Sequence, residues 1–172
     1  NKGVDNMSKK IKNLNNFHIP RWNELPNIYL YMDQVVNLIN GTLEPYIFFK
    51  DDLKNKNSQL LTKTMINNYV KNNLIEAPVR KLYSKTQLSK LFAICVLKQV
   101  YSMQEIDILI NRMLEKSDIE KAYDLFCQLF EDALICTYNK KDFIGSNNES
   151  SYLLKSVLLS CAYKIYIQNI IN

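Results

Sequence analysis

The chain has 172 residues, 47% of them hydrophobic, and a formal net charge of +5, enough apolar material for one ordinary core or for a small domain with a helical extension. Its three glycines, Gly3, Gly41 and Gly145, are scattered, so no glycine-rich loop can wrap a nucleotide phosphate. The one histidine, His18, lies in a polar stretch, which excludes histidine triads and multi-histidine metal sites. No segment gathers acids, a histidine and a nucleophile, so the reading is of a non-enzyme without catalytic residues, metal or cofactor.

Cys95, Cys127, Cys136 and Cys161 fall in apolar helical patterns with no CxxC spacing, as expected of thiols packed in a core within a reducing cytoplasm. The most apolar stretch, Val157 to Ile171, carries Lys164 and Gln168 and is too short to span a bilayer, and no leader-like pattern opens the sequence. The expectation is a cytoplasmic protein with no membrane partner.

Residues 1–20 hold Lys2, Lys9, Lys10 and Lys12 among many asparagines without an apolar period, and read as a flexible basic arm, with order beginning near Trp22. Leu30-Tyr31-Met32 opens a first helix with apolar positions Met32, Val35, Val36 and Ile39, stopped by Asn40-Gly41. Leu43 to Phe49 allows one more helical turn, and Asp51 to Gln59 is a polar loop. Thr62 then caps a second helix whose stripe is Met65, Ile66, Tyr69 and Val70, ended at Asn72-Asn73, where Asn73 can take the left-handed conformation.

Leu74 to Tyr83, with Pro78, Arg80 and Lys81, is too short for a helix and suits a tight two-stranded wing. Three capping boxes follow, Ser84 with Gln87, Ser102 with Glu105 and Ser117 with Glu120. The first opens a helix to about Tyr101 with so little polar face that it should be central. The second and third open amphipathic helices, the last of them carrying Ala122, Phe126, Phe130 and Leu134 on one side. Beyond a polar segment from Asn139 to Ser150, a final helix has an apolar surface so wide, Leu154 and Leu158 on one side, Tyr163 and Ile167 beside it, that a second copy of the chain is expected to share it.

Charge is segregated. Residues 62–90 carry Lys63, Lys71, Arg80, Lys81, Lys85 and Lys90 against Glu76 alone, a net +5, whereas residues 103–132 carry eight acids against three bases, a net −5. That division is expected when one face meets phosphates and the rest does not. On the second helix the i, i+4 spacing lines up Lys63, Asn67 and Lys71 on a face opposite the apolar stripe, with Thr64 and Asn68 beside them. Asparagine can pair with an adenine edge and lysine can reach phosphate or guanine in the major groove.

The run Thr62 to Pro78, with a capped helix containing Tyr69 and a Leu74-Ile75-Glu76-Ala77-Pro78 turn, resembles the second helix and turn of the mercury-resistance-type (MerR) regulators. Leu82-Tyr83-Ser84 is similar to that family's wing exit, and Ser102-Met103-Gln104-Glu105-Ile106 to its next helix start. Asn67 stands where many of those regulators have arginine, and about twenty residues separate the first two helices where the family has a tight turn. Over more of the chain, including Leu25-Pro26, Leu30 to Gln34 and Leu61 to Tyr69, the sequence resembles a bacterial family known as domain of unknown function 1836.

The MerR resemblance implies an all-α fold, a winged helix-turn-helix with a C-terminal helical extension. It also implies base or phosphate contacts from Lys63, Thr64, Asn67 and Asn68. Tyr69 fits either a phosphate contact through its hydroxyl or packing in the core. Lys71, Arg80, Lys81 and Lys85 complete the expected DNA-binding set, Arg80 and Lys81 gripping the backbone from the wing. The organisation expected is an arm at 1–20, a winged domain at 21–116 and a dimerising region at 117–172. The function expected is that of a homodimeric transcription regulator on double-stranded DNA, with any small-molecule effector left open. The alternative is a helical protein-interaction module that keeps the winged fold without binding DNA.

Overall fold

The computed structural model describes Leu14 and residues 16–47, 58–143 and 149–171. Among the described residues it is mostly helical, with six α-helices and one two-stranded sheet: β1 (Leu30–Tyr31), α1 (Met32–Ile47), α2 (Lys63–Lys71), β2 (Leu82–Tyr83), α3 (Lys85–Leu97), α4 (Met103–Leu114), α5 (Ile119–Tyr138) and α6 (Glu149–Ile171). No described helix is long and apolar enough to cross a membrane.

The central element is α3, whose Leu88, Leu91, Phe92, Ile94, Cys95 and Val96 are all buried. It packs against α1, α5 and α6, as a helix with almost no polar face must. The boxes of Ser84 with Gln87 and Ser102 with Glu105 form as expected. The third does not. Asp118, one residue past Ser117, is the N-cap of α5 and accepts the Lys121 N–H at 2.9 Å. A carboxylate at that position satisfies one of the orphan amides and also favours the positive end of the helix.

Three expectations near the amino terminus are corrected. Leu30 and Tyr31 form a strand, not the first helical turn, because Tyr83 and Leu82 lie opposite them in antiparallel register. Asn40-Gly41 does not stop α1, which continues through Pro45 to Ile47. The Asn40 side chain is buried and is taken up by a distant peptide, donating to the Leu61 carbonyl and accepting from the Leu61 N–H, both at 2.9 Å. With its amide engaged there, the turn chemistry of Asn-Gly is lost, and Leu43 and Ile47 extend the buried stripe at helical spacing.

The third correction concerns residues 14–20. Phe17 and Ile19 are buried, the Ile19 N–H donates to Glu131 Oε1 at 2.7 Å, and the Tyr123 hydroxyl donates to the Pro20 carbonyl at 2.8 Å. Order therefore begins before Trp22, and the part of the expected arm that remains, residues 1–13, lies outside the described residues. Apolar side chains hidden among Asn and Lys supply the anchor.

Helices α5 and α6 run side by side in the same direction. Tyr138 at the end of α5 stacks edge-on against Tyr166 at 5.2 Å, while Phe126 and Leu154, nearer their starts, line one common cavity. Both helices share the core of α3, in which Phe92, Phe126, Phe130 and Leu158 belong to one cluster. The parts on either side of residue 117 are thus packed on one another within the chain.

Candidate nucleic-acid interface

The position of α2 is set by the three residues before it. Leu60 and Leu61 are buried. Besides the two bonds to Asn40, the Leu60 N–H donates to Glu44 Oε1 at 2.9 Å, and the Lys98 ammonium donates to the Leu60 carbonyl. Burial pulls the Lys98 ammonium below the usual lysine range. One peptide stretch is therefore held by α1 on one side and by the end of α3 on the other. The expected polar loop, residues 51–59, is described only from residue 58 onward.

From this anchor the helix starts with Thr62, whose hydroxyl accepts the Met65 N–H at 3.2 Å. It ends in a reverse turn at Asn73, with φ 57°. The Leu74 N–H reaches back to the Tyr69 carbonyl at 2.9 Å and the Asn73 N–H to that of Val70 at 3.0 Å, which is the Schellman arrangement with asparagine in the left-handed position. Leu74 is buried and pins the turn to the core.

After this turn the chain extends to Val79, which bridges Leu82 across the two residues Arg80 and Lys81. Both have positive φ, 51° and 66°, the backbone of a two-residue hairpin whose twist matches its strands. Since Leu82 also pairs with Tyr31, the residues Tyr31, Leu82 and Val79 lie in a row on one face and Leu30 and Tyr83 on the other. The inner pair is buried, whereas Tyr31 and Val79 are exposed. Gln87 fastens the far end, donating from Nε2 to the Glu76 carbonyl at 2.8 Å while its Oε1 accepts the Ser84 N–H at 2.7 Å.

Of the candidate residues, Lys63, Thr64, Asn67, Asn68 and Lys71 are exposed on α2, and Arg80 and Lys81 are exposed on the hairpin. Lys63, Asn67 and Lys71 share one outward row. Asn68 is less free, because its Oδ1 accepts from Asn72 Nδ2 at 3.0 Å and its Nδ2 lies 4.0 Å from the Met103 sulfur. Tyr69 is 6% exposed and packs on the core, and burial pushes its hydroxyl above the usual tyrosine range. Of its two readings, packing of the ring holds.

The six cations of the 62–90 window divide cleanly. Lys85 is half-buried, with its ammonium 5.2 Å from the centroid of Trp22, a contact that engages its charge within the fold. Lys90 pairs with Glu76 at 2.5 Å. Lys63 pairs with Asp33, but both side chains are more than half exposed, so this pair is weak and open to exchange for a phosphate. Lys71, Arg80 and Lys81 make no ion pair among the described residues. The exposed positive charge therefore gathers at Lys63, Lys71, Arg80 and Lys81.

Sequence reasoning missed Asp33, the counter-charge of Lys63, and the outer row of Tyr31 and Val79. The signal was present in the repeated dipeptide Leu30-Tyr31 and Leu82-Tyr83: two such pairs facing each other in opposite directions place a Leu with a Tyr at each register position, one row in and one row out.

The cysteines stand apart from this face. Burial pushes the thiols of Cys95, Cys127 and Cys161 up to about 12, as for packed and unreactive sulfur. Among the described residues no group of three or more histidine, cysteine or acidic side chains is placed to hold a metal ion.

No curated protein and no solved structure matches the chain. One family does, that described as Domain of unknown function (DUF1836), over residues 20–126, a span that runs from Pro20 at the packed amino-terminal segment through α1, α2, the hairpin, α3 and α4 into α5. That span covers more than half of the sequence and contains every candidate residue above, so the chain belongs to the DUF1836 family.

Proposed function

We propose that the protein is a DNA-binding transcription regulator with a MerR-like winged helix-turn-helix, in which α2 lies in the major groove and the 79–82 hairpin is the wing. The observation that carries this reading is the sorting of charge: Lys71, Arg80 and Lys81 are exposed with no ion pair among the described residues, and Asn67 lies between Lys63 and Lys71 on the same outward row. Cations of this kind supply the sequence-independent attraction to phosphate, and an asparagine on the exposed row supplies a base contact. The protein acts in the bacterial cytoplasm as a homodimer on a two-fold site. Support for the dimer comes from α6, where Tyr163, Ile167, Ile170 and Ile171 are exposed along the carboxyl-terminal half.

The experiment that tests this is binding to random duplex DNA under salt titration, followed by selection of preferred sites and light scattering of the free protein. A linear fall of log affinity with log salt, one enriched two-fold sequence and a dimer are the expected results. Binding without any enriched sequence would leave an electrostatic binder and sink the regulator.

A second reading, a protein-interaction module on the same fold, is favoured by one observation. Ile28, Tyr29, Tyr31 and Val79 are all more than 60% exposed beside the hairpin, an apolar and aromatic cluster of the kind found at protein interfaces. Absence of any DNA affinity at low salt, with Tyr31 required for capture of a protein partner, would decide for it.

A further inference from the structure

The outer face of the β1–β2 sheet carries two tyrosines that the fold does not use. Leu30 turns inward and is buried, while the residues on either side of it, Tyr29 and Tyr31, are 64% and 61% exposed. Alternate residues of an extended chain share a face, so both rings stand along one edge, about 7 Å apart. Neither meets another ring or a cation among the described residues. Across the sheet Tyr31 lies opposite Leu82, and Leu82 bridges Val79, itself 70% exposed. At about 4.8 Å per strand the face is about 10 Å wide.

Arg80 and Lys81 stand at the tip that joins Val79 to Leu82, both exposed and without an ion pair among the described residues. Asp33, the acid that follows Tyr31 two residues on, is paired with Lys63. The surface thus joins flat aromatic faces to uncompensated positive charge. An apolar protein patch would cover the rings but bring no counter-charge to the cations. A polynucleotide supplies both, since every base has a face that stacks on an aromatic ring and every linkage carries a phosphate. Ring spacing separates one form of it from another. Bases in a duplex strand lie about 3.4 Å apart and cover one another, about half the interval between the two tyrosines. Bases drawn apart in an unpaired strand offer free faces at the wider interval.

We infer that the outer face of this sheet is a binding site for single-stranded nucleic acid, with two unpaired bases on Tyr29 and Tyr31 and neighbouring phosphates on Arg80 and Lys81. The site shares those cations with the proposed wing, but it does not rest on α2 entering a groove.

The test is fluorescence anisotropy of the full chain at low salt with labelled oligomers of about 12 nucleotides, a length within the usual site sizes of single-strand binders. The probes are oligothymidylate, oligouridylate, an abasic strand with the same phosphates and no bases, and a duplex. At least one of the two base-bearing strands is expected to bind tenfold or more tightly than the abasic strand, and the tighter of the two names the sugar preferred. Tyr31→Leu keeps apolar bulk and removes the ring. It should weaken that strand about tenfold, the scale of one base–ring stack, and change duplex affinity less than twofold, with an unaltered melting temperature showing that the chain folds. Tyr31→Phe, which keeps the ring, should stay within twofold of the parent. Arg80→Ala combined with Lys81→Ala should lower the single-strand salt slope by about 1.4 units. Equal affinity for abasic and base-bearing strands, or indifference to Tyr31→Leu, would overturn the stacking site while duplex binding by α2 could still stand. Retention of ring-dependent strand binding without any duplex affinity would keep this site and sink the regulator. No strand binding at low salt would overturn the site and leave the face to a protein partner.

Discussion

Arg21 and the pair Arg80-Lys81 show two opposite uses of positive charge. The Arg21 guanidinium donates to Glu131 through both terminal nitrogens, at 2.8 and 2.6 Å, and to the Ile19 carbonyl at 2.8 Å. Its hydrogen bonds with Glu131 hold it above the usual arginine range, against the opposing effect of burial. Among the described residues Arg80 and Lys81 have no partner of this kind, and both are exposed. Charge turned inward fastens the amino-terminal segment to α5. Charge turned outward holds nothing in the fold, so removing it leaves stability nearly intact and isolates whatever the surface binds.

The contrast can be broken most severely at Glu131. Glu131→Ala leaves the half-buried Arg21 without its counter-ion and the Ile19 N–H without an acceptor, and should cost about 2–3 kcal/mol in urea unfolding. A loss below about 1 kcal/mol would mean that the segment at 14–25 is not held as described. Next is Asn40→Ala, which strips the Leu61 peptide of both its bonds and should cost about 2–3 kcal/mol, with the loss of any DNA affinity following from displacement of α2.

On the outward side the expected stability changes are small and the binding changes are not. Asn67→Ala should leave the unfolding midpoint in place yet cost roughly 1–3 kcal/mol on a preferred site and much less on random duplex. Lys81→Ala should weaken binding to all duplexes alike and lower the salt slope by about one unit. Equal and slight effects of the two would show that neither the helix nor the hairpin is the reading element.

The smallest effect lies between the two regions, at Glu76. Burial pushes its carboxyl up, but the hydrogen bond and charge of Lys90 more than offset this, and the group sits below the usual glutamate range. A depressed carboxyl contributes stability that is present above its unfolded pKa and is lost as pH falls through the lower folded value. Lys90→Met should therefore lose up to about 0.5 kcal/mol at pH 7, with the difference from the parent fading below about pH 4, the modest scale reflecting the half-exposed carboxylate.

What was legible in the sequence was what is decided within one turn of helix. The boxes at Ser84 and Ser102, the cap at Thr62 and the left-handed Asn73 all draw their partners from residues three to five positions away, and the outward row of Lys63, Asn67 and Lys71 follows from helical period alone. One local choice was misread, the box at Ser117, where Asp118 one residue on takes the Lys121 N–H instead; the other misreadings have distant partners. Asn40 is captured by Leu61, Leu30 by Tyr83, and Ile19 and Arg21 by Glu131 more than a hundred residues on. The contact of Lys85 with Trp22, far away in sequence, was likewise not visible in local spacing. Local pattern cannot register a group whose conformation is chosen by a contact formed only after collapse.

The hairpin tip has a consequence for anyone wishing to make this protein more robust. Two successive side-chain-bearing residues, Arg80 and Lys81, occupy left-handed backbone that Asn-Gly would adopt at less cost, so the chain forgoes about 1–2 kcal/mol of available stability at that point. A variant carrying Arg80→Asn with Lys81→Gly should melt at a higher temperature than its parent. Because the gain is conformational and the loss is purely of charge, such a chain would be a sturdier scaffold from which both cations at the tip are missing.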